Sequence, residues 1–132
     1  MILVDSNVWI DIIQRDPVWV DWSLEQVLQA RATRKVAINP IIYAELVPNY
    51  DTAAALAQFV QLSGAQLMPM SAPCAYLAGL AFMAYRKKGG LKTGVIADFF
   101  IGAHAQAEGW TLLTRDATRY RSYFPDVKLI CP

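Results

Sequence analysis

Short apolar runs recur along the chain at wide spacing: ILV at 2–4, VAIN at 36–39, WTLLT at 110–114 and VKLI at 127–130, with a weaker LMPM at 67–70. Runs this short, apolar throughout and without polar alternation, read as strands buried on both faces. Buried strands separated by helical segments build a mostly parallel sheet, here of about five strands, between two helical layers. The expected class is α/β, and 132 residues make one domain, 1–132, with a core that needs no staples.

The intervening segments carry helix signals. SNVWIDIIQ (6–14) follows the first strand directly. Asp16-Pro17 reads as an N-cap followed by proline, opening a helix from Val18 to about Arg31. Pro40 opens the next, which runs through Glu45 to near Pro48. Helices are also expected over 51–62 and 72–88, the second stopped by Gly89-Gly90. Thr93 is placed to cap a helix from Gly94 to about Glu108, with Gly109 as its C′ residue and Trp110 packing back. Pro69 makes LMPM an edge strand or a strand end.

Two cysteines, Cys74 and Cys131, form neither a disulfide framework nor a metal cluster and suit a reducing cytoplasm. The opening MILVD is too short for a signal peptide. No segment approaches about eighteen uninterrupted apolar residues, so no membrane span is expected. Hydrophobic residues make up 55% of the chain, which calls for a large core or for a partner over some apolar surface.

Parallel sheets place ligand sites beyond the carboxyl ends of their strands. Asp5 follows the first strand and Asp116 follows WTLLT. Glu45 lies about two helical turns past VAIN, and Asp98 lies early in the helix before WTLLT. Asp98 stands among VIA and FFI, where a charge is expensive unless paired. Each acid has a purely structural alternative. Asp5 can cap the following helix, Asp116 can cap the DATRY turn, Glu45 can be solvated, and Asp98 can pair with an arginine. Gathered together, the four repel one another unless a cation joins them. An all-oxygen set suits Mg²⁺ or Mn²⁺ and not zinc. Two such ions can clamp the attacking and leaving oxygens of a phosphodiester.

Net charge is only +1, but setting those four aside leaves 7 of the 11 acids against 12 basic residues. Arg86, Lys87, Lys88 and Lys92 cluster at a helix end. Arg115, Arg119 and Arg121 flank Asp116, and Arg31, Arg34 and Lys35 form a third group. Such groups can hold a phosphate backbone without reading bases, or can simply be solvated surface.

Four segments resemble the PIN-domain ribonucleases, and specifically the VapC-type toxins of prokaryotic toxin–antitoxin pairs. VDSNVWID (4–11) resembles the opening strand with its catalytic Asp. NPIIYAEL (39–46) resembles the segment that supplies the Glu. GVIADFFIGAHA (94–105) resembles the Asp followed by an Ile-x-Ala-x-Ala helix, and GWTLLTRDATRY (109–120) resembles the final strand and its Thr-x-Asp pattern. They stand in the family's order over essentially the whole chain. The resemblance implies a PIN-like three-layer α/β/α sandwich. It implies catalytic and metal-binding roles for Asp5, Glu45, Asp98 and Asp116, with Ser6, Asn7 and Thr114 supporting them.

The activity it implies is metal-assisted hydrolysis of RNA, with Mg²⁺, or Mn²⁺ as a substitute, held mainly by Asp5 and Asp98. Products would carry a 3′-hydroxyl and a 5′-phosphate. Structured RNA such as tRNA or ribosomal RNA is the expected substrate, with Arg86, Lys87, Lys88, Lys92, Arg115 and Arg119 on its backbone. The resemblance further implies a homodimer, a cytoplasmic location and a cognate VapB-type antitoxin, with DNA reached only through that antitoxin. Trp9, Ile12, Ile13, Trp19 and Trp22 are candidates for the antitoxin interface, or else fill the local core.

Two positions depart from the pattern. Arg119 stands where relatives often carry a polar or acidic residue, which weakens a second metal or makes it depend on substrate. Asn49 stands where relatives often have glycine. His104 lies well off the Asp98 face and reads as structural.

Competing readings fare less well. A haloacid dehalogenase-type phosphatase needs an Asp where Asn7 stands, a response-regulator receiver needs an acid that MPM (68–70) does not supply, and no glycine-rich phosphate loop appears. An RNA-processing PIN nuclease outside a toxin–antitoxin pair, or a catalytically silent binding module, remains as the alternative.

Overall fold

The structure is a computed structural model that describes all of residues 1–132 but Thr93, so the expected cap at Thr93 lies outside the described residues. Five strands, β1 (Ile2–Val4), β2 (Val36–Ile38), β3 (Gln66–Leu67), β4 (Thr111–Leu113) and β5 (Leu129–Ile130), form one sheet in the order β3-β2-β1-β4-β5. Every neighbouring pair is parallel. The apolar runs have their physical reason here: Leu3, Val4, Ala37, Leu112 and Leu113 are completely buried, with no face left to carry a polar residue.

The helices are α1 (Ser6–Ile13), α2 (Val20–Thr33), α3 (Pro40–Leu46), α4 (Ala53–Ser63), α5 (Ala72–Lys87), α6 (Ile96–Glu108) and α7 (Thr118–Tyr123), with a 3₁₀ turn at Val47–Asn49. Strand order runs one way from β1 to β3, then returns past β1 to β4 and β5. Right-handed crossovers therefore put α1–α4 on one face of the sheet and α5–α7 on the other. The reversal opens a crevice at the carboxyl ends of β1 and β4, the topological switch point of the sheet.

Helix ends follow their local chemistry. Asp16 accepts from the amides of Val18 and Trp19 at 2.8 and 2.9 Å, ahead of α2. At the end of α6, Gly109 adopts φ +67, and the amides of Gly109 and Trp110 bond back to Gln106 and Ala105, a Schellman closure. Gly89 and Gly90 close α5 in the same way onto Arg86 and Tyr85.

Several elements differ from expectation. β3 covers 66–67, not 67–70, because Pro69 has no amide to continue the ladder beyond the bond from Met68 to Ile38. α6 starts at Ile96, two residues after Gly94. Asn49 ends the 3₁₀ turn without a left-handed backbone, so no glycine is needed there. Among the described residues, no helix is long and apolar enough to cross a membrane.

Trp9 is corrected. It is 2% exposed, sits edge-on to Phe59 with centroids 5.9 Å apart, and donates its indole N–H to the Val4 carbonyl. It belongs to the core and offers nothing to a partner. Ile12, Ile13, Trp19 and Trp22 are half-buried, and the two tryptophan rings meet edge to face. His104 is fully buried; its Nδ1 meets Asn39 Nδ2 at 3.2 Å, and its ring packs on Trp110. Asn39 in turn caps α3 through the Ile42 amide. His104 thus braces the helix that carries Glu45, and burial pushes its pKa down.

Candidate functional site

Asp5 stands at the carboxyl end of β1, in the crevice. Its amide extends the pairing with β4 by bonding to Leu113, and its side chain caps α1. The two carboxylate oxygens are used differently. Oδ2 accepts from Thr114 Oγ1 at 2.8 Å, Tyr120 OH at 3.0 Å and Asn7 Nδ2 at 3.3 Å. Oδ1 accepts from the Ser6 amide at 2.7 Å and, at 3.4 Å, from the Ser6 hydroxyl. Oδ2 thus takes three donors, whereas Oδ1 has one firm bond, from the Ser6 amide, and one long contact.

Asp5 is 3% exposed, and its pKa is raised, first by burial; repulsion from Asp98 adds to this, while the bonds from Thr114, Tyr120 and Ser6 oppose it. The capping alternative for Asp5 is realised: its side chain takes the Ser6 amide at the start of α1.

The supporting residues form a continuous network. Asn7 donates to Thr114 Oγ1 at 3.2 Å and accepts from the Arg115 amide at 3.1 Å. The Ser6 hydroxyl lies 3.1 Å from Glu45 Oε1, linking the starts of α1 and the end of α3. Burial raises the pKa of half-buried Glu45, and the charges of Asp5 and Asp98 raise it further, against the Ser6 bond.

Asp98, in the first turn of α6, pairs with Arg119 through Nη1 and Oδ2. Burial raises its pKa and Asp116 adds to that, while Arg119 acts the other way. Asp116 is exposed, and its Oδ1 takes the Thr118 amide at 3.3 Å at the start of α7. The four acids thus share one field: Asp5, Glu45 and Asp98 act on one another, and Asp116 acts on Asp98.

Tyr120 went unnoticed in the sequence. It is 2% exposed, and burial and the facing carboxylates raise its pKa well above 10.0, so it stays a donor. Asp11 was missed as well. It is buried, accepts from Ser23 at 2.8 Å and takes a two-pronged pair from Arg115 at 2.9 and 3.0 Å. An acid inside VWIDII was a readable signal, because it needs a partner as Asp98 does. Arg115 is committed to that pair and stacks over Trp19.

The other basic candidates lie on a rim organised by Tyr85. Its ring packs on Phe99 and Tyr123, its hydroxyl accepts the Lys92 amide at 3.2 Å, and Arg119 lies over its face at 5.9 Å. A Cβ on Gly90 would run into this ring, so the double glycine lets the chain wrap round it. Arg86, Lys87, Lys88 and Lys92 are exposed on that wrap, with Lys88 Nζ over the Tyr123 ring at 5.3 Å.

The donor set is all oxygen, which fits a hard divalent cation. Among the described residues, no three of the acids already converge as a ligand shell. Asp5 and Asp98 are the carboxylates that could hold such an ion.

The PIN domain family matches residues 2–124. No curated protein matches the chain. Among solved structures, it is similar to VapBC2 from Rickettsia felis bound to a DNA fragment from their promoter, with TM-score 0.76, 23% identity, and coverage of 100% of this chain and 99% of that one. It is also similar to VapBC-1 from nontypeable Haemophilus influenzae, with TM-score 0.72, 16% identity and coverage of 99% and 98%. DNA-bound VapBC from Salmonella typhimurium follows, with TM-score 0.71, 18% identity and coverage of 98% and 96%.

Proposed function

The chain belongs to the PIN domain family, and from that premise we propose that residues 1–132 form a single metal-dependent endoribonuclease domain of the VapC toxin type. The observation that carries this reading is Asp5: buried at the switch point, with Oδ2 saturated and Oδ1 less fully engaged, in the field of Asp98 and facing Glu45. A carboxylate kept there against its desolvation cost is better explained by a cation to bind than by capping alone.

Asp5 and Asp98 hold Mg²⁺, or Mn²⁺ in its place. Bound there, the metal supplies positive charge for activating water and neutralising a phosphodiester. Thr114, Tyr120 and Asn7 fix Asp5 so that one oxygen faces the reaction. Glu45, held by Ser6, is positioned to orient water and to accept its proton. Asp116, exposed beside the site, completes the acidic field. Arg86, Lys87, Lys88, Lys92 and Arg119 receive the RNA backbone along the rim, a contact that gives affinity without sequence reading. Arg115 contributes less, because its guanidinium belongs to Asp11.

The similar solved structures are toxin–antitoxin complexes, which supports a cognate antitoxin for this chain; DNA contact is proposed through that antitoxin only. The α1–α2 face, with Trp19, Trp22, Ile12 and Ile13 half-buried beside exposed Val18, Leu24 and Leu28, is the surface proposed for it. A homodimer, a cytoplasmic location and a tRNA or ribosomal RNA substrate complete the reading.

The test is digestion of total RNA with Mg²⁺, Mn²⁺ or EDTA, beside Asp5→Asn and Asp98→Asn checked for folding by circular dichroism. Discrete metal-dependent fragments lost in both folded variants are expected. Undiminished cleavage by either variant would remove that residue from the site.

A further inference from the structure

Asp98 is held by an arginine. Arg119 donates Nη1–H to its Oδ2, with side-chain exposures of 25% for the arginine and 34% for the aspartate. Among the described residues, no other lysine or arginine forms an ion pair with Asp5, Glu45, Asp98 or Asp116. Arg119 is therefore the protein's own cation set against the acidic field.

In the same position the guanidinium also meets an aromatic ring. Its Cζ lies 5.9 Å from the centre of the Tyr85 ring, within cation–π range. Tyr85 is fixed by Phe99, Tyr123 and the Lys92 amide. Arg119, Tyr85 and Asp116 also line an open hollow of about 370 Å³ next to the site, together with Thr118, Ser122 and Tyr123. An arginine released from Asp98 stays on the rim of that hollow, over Tyr85, where its planar fork suits a phosphate.

We propose that Arg119 is a substrate-positioning residue gated by the metal: its guanidinium and the divalent cation compete for Asp98, and the metal's arrival turns the arginine toward the scissile RNA phosphate. This rests on the nuclease reading of the site. The competition follows from charge. A divalent ion on Asp98 and a guanidinium on the same carboxylate stand at contact range of each other, where like charges repel strongly in a partly buried setting. One contact is surrendered when the other forms. The device keeps the empty site neutralised and presents the phosphate-binding group only when the metal is in place.

The prediction is two effects of opposite sign from one substitution. Arg119→Met should bind Mn²⁺ about three- to tenfold more tightly in calorimetric titration, the scale of one lost competing contact. The same variant should show a higher KM for RNA and a lower melting temperature in EDTA, because the acids lose their counter-cation. Arg119→Lys, which keeps the charge, should restore Mn²⁺ affinity toward wild type; Arg119→Gln repeats the titration if the methionine variant does not fold. Mn²⁺ affinity unchanged or weakened by Arg119→Met and Arg119→Gln, with wild type binding Mn²⁺ normally, overturns the gating alone. Absence of Mn²⁺ binding in wild type and variants alike overturns the metal-site reading and the gating with it.

Discussion

Tyr120→Phe isolates the part of the site that the sequence concealed. The substitution removes one hydroxyl and keeps the ring, which is 2% exposed and needs no repacking. The hydroxyl donates to Asp5 Oδ2 at 3.0 Å. A hydrogen bond to a charged group contributes about 1.5–3 kcal/mol. Oδ2 keeps Thr114 at 2.8 Å and Asn7 at 3.3 Å, so the carboxylate is not orphaned, and the cost falls at the low end. A loss of about 1.5 kcal/mol in a domain of this size lowers the melting temperature by roughly 5–7 °C.

The loss also depends on pH. Removing a donor raises the pKa of Asp5 above its already raised folded value, so the two proteins differ most where Asp5 is ionised. On acidification Asp5 protonates in both, and the difference shrinks to that of a neutral bond. Urea denaturation in EDTA at pH 7.5 and pH 4.5 reads this directly. Cleavage should fall by no more than about tenfold, because Oδ1 and its Ser6 bond are untouched. Equal stabilities at pH 7.5, or an identical deficit at both pH values, would refute the claim that Tyr120 serves the ionised carboxylate.

Two further substitutions probe the packing and the field around the site. A Cβ at Gly102 would run into the Phe124 ring, so Gly102→Ala overpacks the seam between α6 and the end of α7. That costs about 1–3 kcal/mol against a helix-propensity gain of about 1 kcal/mol, so a lower melting temperature is expected and a higher one contradicts the packing. Glu45 has a raised folded pKa, so the stability tied to its protonation is present below about 4.5, its unfolded value, and is lost as pH rises through the folded value. Metal-free Glu45→Gln should therefore be at least as stable as wild type at pH 7.5, with its advantage vanishing near pH 4; a clear loss of stability at pH 7.5 would contradict the repulsion.

Strands β1 and β2 were readable because burial on both faces leaves them wholly apolar, as in ILV at 2–4. The edges were not. β3 and β5 have two residues each, and their limits are set by neighbours and by Pro69 rather than by pattern. Asp5 and Asp116 were legible from the strand-end rule, and Asp98 from the cost of a charge among VIA and FFI. Its arginine partner had been one of the alternatives, and the structure supplies Arg119 in that role. Trp9 misled because α1 packs against α2 and α3 while Trp9 itself meets Phe59 of α4 and the Val4 carbonyl, so an aromatic on it has several buried faces to occupy. Tyr120 carried no signal, since an aromatic in TRYRSY packs equally well without a bond to a carboxylate.

The most direct measurement is the chemistry of the cut ends. RNA cleaved by the purified chain in Mg²⁺ would be tested for 5′-phosphate and 3′-hydroxyl termini. Water attack on the phosphorus at a carboxylate-held metal predicts those ends, with no cleavage in EDTA. Ends carrying 2′,3′-cyclic phosphate, or cleavage that persists in EDTA, would contradict the account, because the RNA's own 2′-hydroxyl would then be the nucleophile and the buried Asp5 would need another explanation.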